Sequence, residues 1–243
     1  CCKALAPVTA SGLPPAREIL IRVEALDKGA VERYVAERIS EADARAGYVL
    51  TAAYLEALGA LPPGTDLEAV VLGFARDQVA GYWDFQRQVL VVADWIPAAM
   101  QRPTLVHEAT HAYQDRAFGL ARFMTPRPGV TEPFAAAQAL FEGDATLVMF
   151  ESMAGAPLGG AEVLETVRGM KDKVRMLFRF MPGMADVPDV LRESLLFPYL
   201  DGLGFVMTAR AAAGWKAVDA LYRSPPLSTE QVLHPEKLSA ARA

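Results

Sequence analysis

The sequence predicts a mainly α-helical fold of the α+β class, with one short β-hairpin. Hydrophobic residues recur at helical spacing over most of the chain, whereas residues 78–93 contain two β-rich runs around a short turn. The chain has 243 residues, 52% of them hydrophobic, which is enough to bury one large core. We therefore expect a single domain over residues 16–243, after a flexible tether at residues 1–15.

The charge of the chain narrows the range of partners. A formal net charge of −5 leaves no general basic surface, which argues against nucleic acid as the main partner. No apolar run in the sequence approaches the ~18 residues that a membrane-spanning helix needs. We therefore expect the chain as given to be soluble.

Both cysteines stand at positions 1 and 2, where they cannot staple a core. One interpretation is a mature lipoprotein: a signal peptide has been removed before Cys1, the thiol carries lipid, and the segment rich in Pro, Ala, Ser and Gly up to Pro15 is the tether. This predicts an extracytoplasmic protein, attached to the membrane of a bacterial envelope through Cys1. The alternative is a truncated or engineered start with free thiols.

Three segments precede the hairpin. Residues 16–26 are predicted to form an amphipathic helix, and residues 30–61 form a longer helical region that Pro62-Pro63-Gly64 ends. Residues 66–76 fit either a helix or a buried strand, because their apolar run is too short for its periodicity to decide.

The hairpin is expected from β-rich runs at residues 78–83 and 88–93. It lies just upstream of a helix predicted from Pro103 to about Leu120, since proline suits a first helical turn. A connection rich in Pro and Gly at residues 125–131 leads to an almost wholly apolar helix over residues 131–150. This connection either shapes the mouth of a site or only links the two helices.

The C-terminal third is predicted to be helical again, over about residues 160–178, 187–196, 199–213 and 215–222. Ser228-Thr229-Glu230-Gln231 then has the form of a capping box, which opens one short turn. This turn carries His234 just before Pro235.

The motif that organises the chain is His107-Glu108-Ala109-Thr110-His111. Residues four apart lie on one face of a helix, so His107 and His111 can bind the same cation. Glu108 points about a quarter turn away, where a carboxylate can accept a proton from water without binding the metal. The alternative is that both histidines are ordinary solvated or core residues, which fits their apolar surroundings less well.

Catalytic zinc typically has three protein ligands and one open position. For the third ligand we predict Glu142, because a carboxylate in an apolar helix needs a charge partner. The alternatives are a surface carboxylate or a helix salt bridge at this position, and His234 as the third ligand. Zinc suits two imidazoles and a carboxylate, although the same set also holds iron. A ligand imidazole needs an acceptor for its other N–H, and the candidates are Asp144, Asp115 and Gln114.

The histidine motif followed by a helical glutamate resembles the gluzincin, or thermolysin-type, zinc metallopeptidases. Four blocks resemble, more narrowly, a group of uncharacterised bacterial zinc-peptidase-like proteins that are often predicted lipoproteins: residues 78–84, 107–115, 142–145 and 228–235. The resemblance spans about residues 66–237. One departure is Thr146, because the thermolysin type has an aspartate four residues after the ligand glutamate.

The resemblance implies a zincin-like metallopeptidase domain that hydrolyses a peptide or protein substrate with zinc-activated water. Glu108 is then the general base, which accepts the proton of the water and passes it to the leaving amine. The oxyanion needs a donor, commonly histidine or tyrosine. We expect this donor to be His234, the only histidine outside the motif, with Tyr199 and Tyr113 as further candidates. His234 is otherwise a metal ligand or a structural cap.

Two other function classes remain open. The chain is alternatively a non-catalytic binding or assembly module on a metallopeptidase fold, or a zinc hydrolase of a non-peptide amide or ester. The intact Glu108 argues against the binding module, because a structural zinc site has no use for a free carboxylate beside the metal. In a peptidase, the edge of the hairpin either pairs with extended substrate or only covers the core.

Overall fold

The computed structural model describes residues 21–39, 42–123, 131–181, 184 and 187–240. This part of the chain is mainly helical, with one small three-stranded sheet, which confirms the predicted α+β class. The predicted tether, including Cys1, and residues 125–130 of the Pro/Gly connection lie outside the described residues. None of the helices in the described part of the chain combines the length and the apolar composition that a membrane-spanning helix needs.

The N-terminal part combines helices with the sheet. Its elements are β1 (Arg22–Leu26), α1 (Lys28–Ile39), α2 (Ala42–Ala57), α3 (Leu67–Gln78), β2 (Gly81–Asp84) and β3 (Val89–Ala93). The long helical region is confirmed as α1 and α2, and β2 and β3 form the expected antiparallel hairpin. The undecided segment is the helix α3, which Asp66 caps by accepting a hydrogen bond of 3.0 Å from the backbone N–H of Ala69.

The helix predicted over residues 16–26 is wrong where it is described, because residues 22–26 form β1. β1 pairs in parallel with β3, from Arg22 opposite Val89 to Leu26 opposite Ala93. The side chains of Glu24 and Leu26 are half-buried, whereas those of Arg22, Val23 and Ala25 are exposed, so the apolar residues of β1 do not mark a buried face. The partner strand β3 lies far away in the sequence, so no turn next to β1 indicates a hairpin. The helical spacing of the neighbouring apolar residues was therefore the only local pattern, and it predicted a helix.

The sheet supports the motif helix α4 (Ala98–Phe118). β3 lies at the centre of the strand order β1-β3-β2, and all of its residues are buried. Leu90 of β3 and Trp83 of β2 pack with Ala112 of α4 in one apolar cluster. The hairpin predicted next to the motif helix therefore lies against it.

Helix α4 begins before the predicted start, so Pro103 lies inside the helix instead of in its first turn. The helix ends at Gly119, whose φ of 68° lies in the left-handed region that glycine favours. The N–H of Gly119 donates to the carbonyl oxygen of Asp115 at 2.8 Å. The motif thus lies in the middle of a long helix.

Helix α5 (Thr131–Ala154) crosses helix α7 (Asp189–Ala213) at two glycines. A Cβ on Gly143 would overlap the backbone of Gly202, and a Cβ on Gly202 would overlap the carbonyl group of Ala139. The two backbones therefore touch. This contact explains a glycine in the middle of an apolar helix, where it costs about 1 kcal/mol relative to alanine.

The remaining elements surround this crossing. They are the 3-10 turn Leu120–Arg122, α6 (Ala161–Arg179), α8 (Trp215–Arg223), α9 (Thr229–Leu233) and α10 (Lys237–Ala240). The helices predicted over residues 187–196 and 199–213 are one helix, α7, with Pro198 in its interior. The cap of α9 is confirmed, since the side chain of Ser228 accepts a hydrogen bond from the N–H of Gln231.

The largest apolar core lies between α5, α7, α8 and α9. Its fully buried large side chains are Leu120, Leu140, Leu147, Phe205, Val206 and Tyr222. A second cluster joins α2 and α3 to the start of α7. The face of α5 that meets α4 thus borders a densely packed region, which limits the movement of any side chain placed there.

Candidate metal centre

Two imidazoles and one carboxylate converge between α4 and α5. Nε2 of His107 lies 3.1 Å from Nε2 of His111, and Oε2 of Glu142 lies 3.1 Å from the first nitrogen and 3.3 Å from the second. These three atoms form a group that could hold a metal ion. The structure therefore brings together the three residues that the sequence predicts as ligands.

The spacing of the three atoms fits a tetrahedral metal ion. Bonds of about 2.0–2.1 Å to a tetrahedral zinc place neighbouring ligand atoms about 3.3 Å apart. The observed separations of 3.1 to 3.3 Å are close to this value. Two imidazole nitrogens and one carboxylate oxygen are also a donor set that divalent transition ions prefer.

Glu142 and His111 stabilise the charged forms of each other. Burial alone would raise the pKa of Glu142, but the charge of His111 and hydrogen bonds from both imidazoles hold that pKa well below its usual range. Burial likewise opposes the charging of His111, yet the Glu142 carboxylate raises its pKa to about 9. A metal-free site at neutral pH therefore holds a proton on His111, which a bound cation must displace.

The second nitrogen of His111 is bound by Gln114, about one turn further along α4. Nδ1 of His111 lies 2.9 Å from Oε1 of Gln114. The amide nitrogen of Gln114 donates to the carbonyl oxygen of Phe141 at 3.1 Å and to Oδ2 of Asp144 at 2.9 Å. The hydroxyl of Tyr222 donates to the same oxygen of Asp144 at 2.7 Å. Gln114 is therefore the acceptor that contacts the imidazole, and Asp144 lies behind it.

Asp115 and Thr146 make other contacts. Oδ2 of Asp115 accepts hydrogen bonds from the indole N–H of Trp83 at 3.2 Å and from the side-chain amide of Gln88 at 2.8 Å, which tie α4 to the hairpin. Thr146 occupies the position of the aspartate in the thermolysin type, and its buried hydroxyl has no hydrogen-bond partner among the residues that the structure describes. Thr146 therefore replaces the aspartate of the thermolysin type, and in this chain Gln114 of α4 supplies the acceptor for the imidazole of His111.

Glu108 is buried beside the ligand group without being part of it. The backbone N–H of Trp83 in β2 donates a hydrogen bond to its carboxylate. Burial raises the pKa of Glu108, against the charges of His111 and His107, which lower it. A carboxylate that is held in place and has a raised pKa suits proton transfer next to a metal ion.

A glycine makes room for Glu108 between the sheet and α4. A Cβ on Gly81 would lie 2.8 Å from the carbonyl oxygen of Val91, 2.9 Å from Cγ2 of Thr104 and 3.4 Å from Cγ of Glu108. The first two distances are shorter than normal contacts between such atoms. A side chain at position 81 would therefore push β2 away from α4 and disturb the hydrogen bond that orients Glu108.

Tyr199 of α7 is the predicted oxyanion donor that lies closest to the ligand group. Its ring centroid is 6.1 Å from that of His107, and 40% of the residue is exposed. The charge of Glu142, then burial, then the charge of Glu108 raise the pKa of Tyr199 well above its usual value. Its hydroxyl is therefore protonated at neutral pH and available as a donor.

The other two predicted donors have different surroundings. His234 follows α9 with a half-exposed side chain, and its ring nitrogens lie 4.0 Å from Glu230 and 3.5 Å from Glu236. The ring of Tyr113 contacts Phe118, with 6.2 Å between the centroids. The described contacts of His234 and Tyr113 do not reach the ligand group, so the structure brings neither residue to it.

Two contributors to the site were missed by sequence reasoning. Tyr222 belongs to a short helix with apolar residues at helical spacing, and this pattern indicates only a core position. The backbone N–H of Trp83 has no signature in the sequence, since every residue except proline carries one. Gln114 was already a candidate acceptor, and its hydrogen bond to Asp144 leads on to Tyr222 only in the folded chain.

The fold and this geometry define a candidate metal centre of two histidines and one glutamate, with a second glutamate beside it. In comparisons with known proteins, no protein-family model, no curated protein and no solved structure matches the chain. The residues of the site are therefore the basis for a proposed function.

Proposed function

We propose that this chain is a zinc-dependent, gluzincin-like peptidase that uses Glu108 as its general base. The observation that carries the proposal is the convergence of His107, His111 and Glu142, with Glu108 buried next to them and outside the ligand set. Zinc is the proposed ion because this donor set at near-tetrahedral spacing suits it. A site with a structural role alone would have no use for the uncoordinated, oriented carboxylate.

The proposed chemistry divides between the ion and the side chains. A zinc ion bound at the three ligands supplies Lewis-acid chemistry, which polarises a substrate carbonyl and makes water more acidic. Glu108 accepts a proton from the attacking water and donates it to the leaving amine. The hydrogen bond from Trp83 holds the Glu108 carboxylate in one orientation during both transfers.

Tyr199 is the proposed donor to the oxyanion, in preference to His234. Its partial exposure and its distance from His107 support this role. Tyr199→Phe removes only the hydroxyl, so we expect kcat to fall by about 10²–10³, the usual loss for one such donor, while zinc content is unchanged. A comparable loss in His234→Ala, with full activity in Tyr199→Phe, would return the role to His234.

A peptide or protein is the proposed substrate. β2 is an edge strand in the order β1-β3-β2, and its residue Trp83 contacts Glu108. An extended chain lying along this edge would therefore pass the proposed general base.

Lipidation of Cys1 would attach the enzyme to a bacterial envelope, and mass spectrometry of the protein purified from membranes tests that part separately.

The test of the proposal is a comparison of zinc-loaded wild type with Glu108→Gln. The substitution keeps the size of the side chain but removes the proton acceptor, so we expect an unchanged zinc content and no turnover of a diverse peptide library. Glu151→Gln is the control, because Glu151 is another largely buried glutamate, on α5 instead of the motif helix, with 17% of its side chain exposed and a salt bridge to Arg210. This control should retain both zinc and turnover.

Each other outcome has a defined meaning. Undiminished turnover in Glu108→Gln would overturn the general-base assignment. A zinc-loaded wild type that cleaves esters or small amides but no peptides would replace the peptidase by the non-peptide hydrolase. A wild type that binds zinc and is inert towards all three substrate classes would favour the binding module.

A further inference from the structure

A chain of hydrogen bonds runs from α8 to the ligand group. The Tyr222 hydroxyl donates to Oδ2 of Asp144 at 2.7 Å, and the NH₂ group of Gln114 donates to the same oxygen at 2.9 Å. Oε1 of Gln114 lies 2.9 Å from Nδ1 of His111. Tyr222 is 1% exposed, Gln114 0% and Asp144 6%. The chain is therefore shielded from water, and each of its members depends on the others for hydrogen bonds.

The chain determines which nitrogen of His111 carries a proton. The two acceptors on one side of Gln114, the carbonyl of Phe141 and the carboxylate of Asp144, require the NH₂ group of the amide. The oxygen of the amide must then face His111, and it can only accept a hydrogen bond. In the neutral imidazole that a metal ion requires, Nδ1 of His111 is thus the protonated nitrogen, which leaves the lone pair of Nε2 directed towards His107 and Glu142.

Asp144 holds the amide in this orientation because both donors meet at one oxygen. If Gln114 turned over, its oxygen would face the carboxylate of Asp144 and the carbonyl of Phe141, and its NH₂ group would face Nδ1 of His111. Acceptors would then face acceptors in a buried place, which costs about 1–3 kcal/mol per unsatisfied group. Tyr222 in turn holds the carboxylate.

We propose that Tyr222 is a positioning residue of the metal centre, which acts through Asp144 and Gln114 to present Nε2 of His111 to the ion. The inference rests on the proposed metal site, but it does not depend on the reaction that the site catalyses. Outer partners of ligand histidines typically contribute about 10–100-fold to metal affinity. The aromatic ring of Tyr222 has a separate role, since it stacks on Phe118 with 4.1 Å between centroids and 5° between the planes.

Tyr222→Phe separates these two roles, because it keeps the stacked ring and removes only the hydroxyl. We expect the zinc affinity, measured by competition with a chelator, to fall about tenfold, the lower end of the usual range. Gln114→Met, which removes both hydrogen-bonding groups at similar size, should lower the affinity by up to about 100-fold. Tyr48→Phe is the matched control, since this tyrosine packs in the cluster of α2 and α3. The zinc affinity of this variant should equal that of wild type.

A second readout in the zinc-loaded protein reports on His111 directly. NMR should show the Nδ1 proton of His111 in slow exchange with water in wild type and in Tyr48→Phe, and in faster exchange in Tyr222→Phe. A hydroxyl with only a structural role would lower the melting temperature and leave both the exchange rate and the zinc affinity unchanged. That result would overturn the inference.

The same experiments distinguish this inference from the proposed function. A wild-type protein that binds no zinc, or binds it equally well after His107→Ala, would remove the metal site itself. If wild type binds zinc tightly, loses it in His107→Ala and keeps the same affinity in Tyr222→Phe, the metal site is supported. Only the proposed role of Tyr222 is then wrong.

Discussion

Two carboxylates flank the glycine crossing of α5 and α7, and they have different partners. Glu142 precedes Gly143 and faces two imidazoles, whereas Asp201 precedes Gly202 and faces two permanent cations, Lys171 at 2.6 Å and Arg175 at 3.1 Å. Both carboxylates are largely withdrawn from water, with 17% and 5% of the side chain exposed. Their positions in the fold are similar, so the difference lies in the partners.

The partners decide whether a buried carboxylate can serve a metal ion. Lysine and arginine neutralise Asp201 permanently, because both remain charged at neutral pH. Imidazoles instead titrate near neutrality and have a lone pair when neutral, so they can share a cation with Glu142. The comparison indicates that the partners of Asp201 suit a permanent ion pair, whereas the partners of Glu142 could hold a metal ion together with it.

The largest effect is expected from a substitution that disrupts the crossing of α5 and α7, since this crossing positions both carboxylates. Gly143→Ala forces a Cβ into the backbone of Gly202, so we expect the free energy of unfolding to fall by about 3 kcal/mol or more, with loss of zinc binding. Gly169→Ala is the matched control in α6, where a Cβ meets nothing within 4 Å, and it should stabilise slightly. Chemical denaturation of both variants measures the difference, and equal stability would show that the helices do not touch.

The next largest effects are expected from substitutions of the two carboxylates, which should change different quantities. Glu142→Gln should lower zinc affinity by more than about 100-fold, beyond the loss seen for outer residues, because it removes a ligand. Asp201→Asn should leave zinc affinity unchanged and lower the free energy of unfolding by about 1–3 kcal/mol, because Lys171 and Arg175 lose their counter-charge. Equal zinc affinity in the two variants would erase the distinction between the faces.

A smaller effect concerns pH. In the metal-free protein the pKa of His111 is raised to about 9, so this residue is protonated at pH 7 and must lose its proton to bind zinc. Zinc affinity should therefore rise about tenfold per pH unit from pH 7 to about 9 and then level off. Calorimetry at pH 7, in buffers that differ in ionisation enthalpy, should report release of about one proton per ion. No proton release would contradict the charge pairing of His111 with Glu142.

The part of the site that was predictable from the sequence is the part with a short-range pattern. His107 and His111 share one helical face by their spacing alone, and Glu142 stands out as a carboxylate in an apolar helix. Tyr222 and β1 were not predictable, because each acquires its role from a partner far away in the sequence. Gln114 was one of three candidate acceptors, and only the three-dimensional hydrogen-bond pattern distinguishes it from Asp144.

The residues of the proposed catalytic machinery divide in the same way. Glu108 was recognised from its place in the motif, but the N–H of Trp83 that orients it comes from the hairpin. Tyr199 and His234 could not be ranked from the sequence, since the distance of each from the motif depends on how α7 and α9 pack. The folded chain places the ring of Tyr199 6.1 Å from that of His107 and leaves His234 with Glu230 and Glu236.

The most direct test of the account is a crystal structure of the zinc-loaded protein with anomalous scattering measured at the zinc edge. We expect one anomalous peak bonded to Nε2 of His107, Nε2 of His111 and Oε2 of Glu142, with the Glu108 carboxylate outside bonding distance. A peak bonded to His234 in place of Glu142, or no peak between α4 and α5, would contradict it.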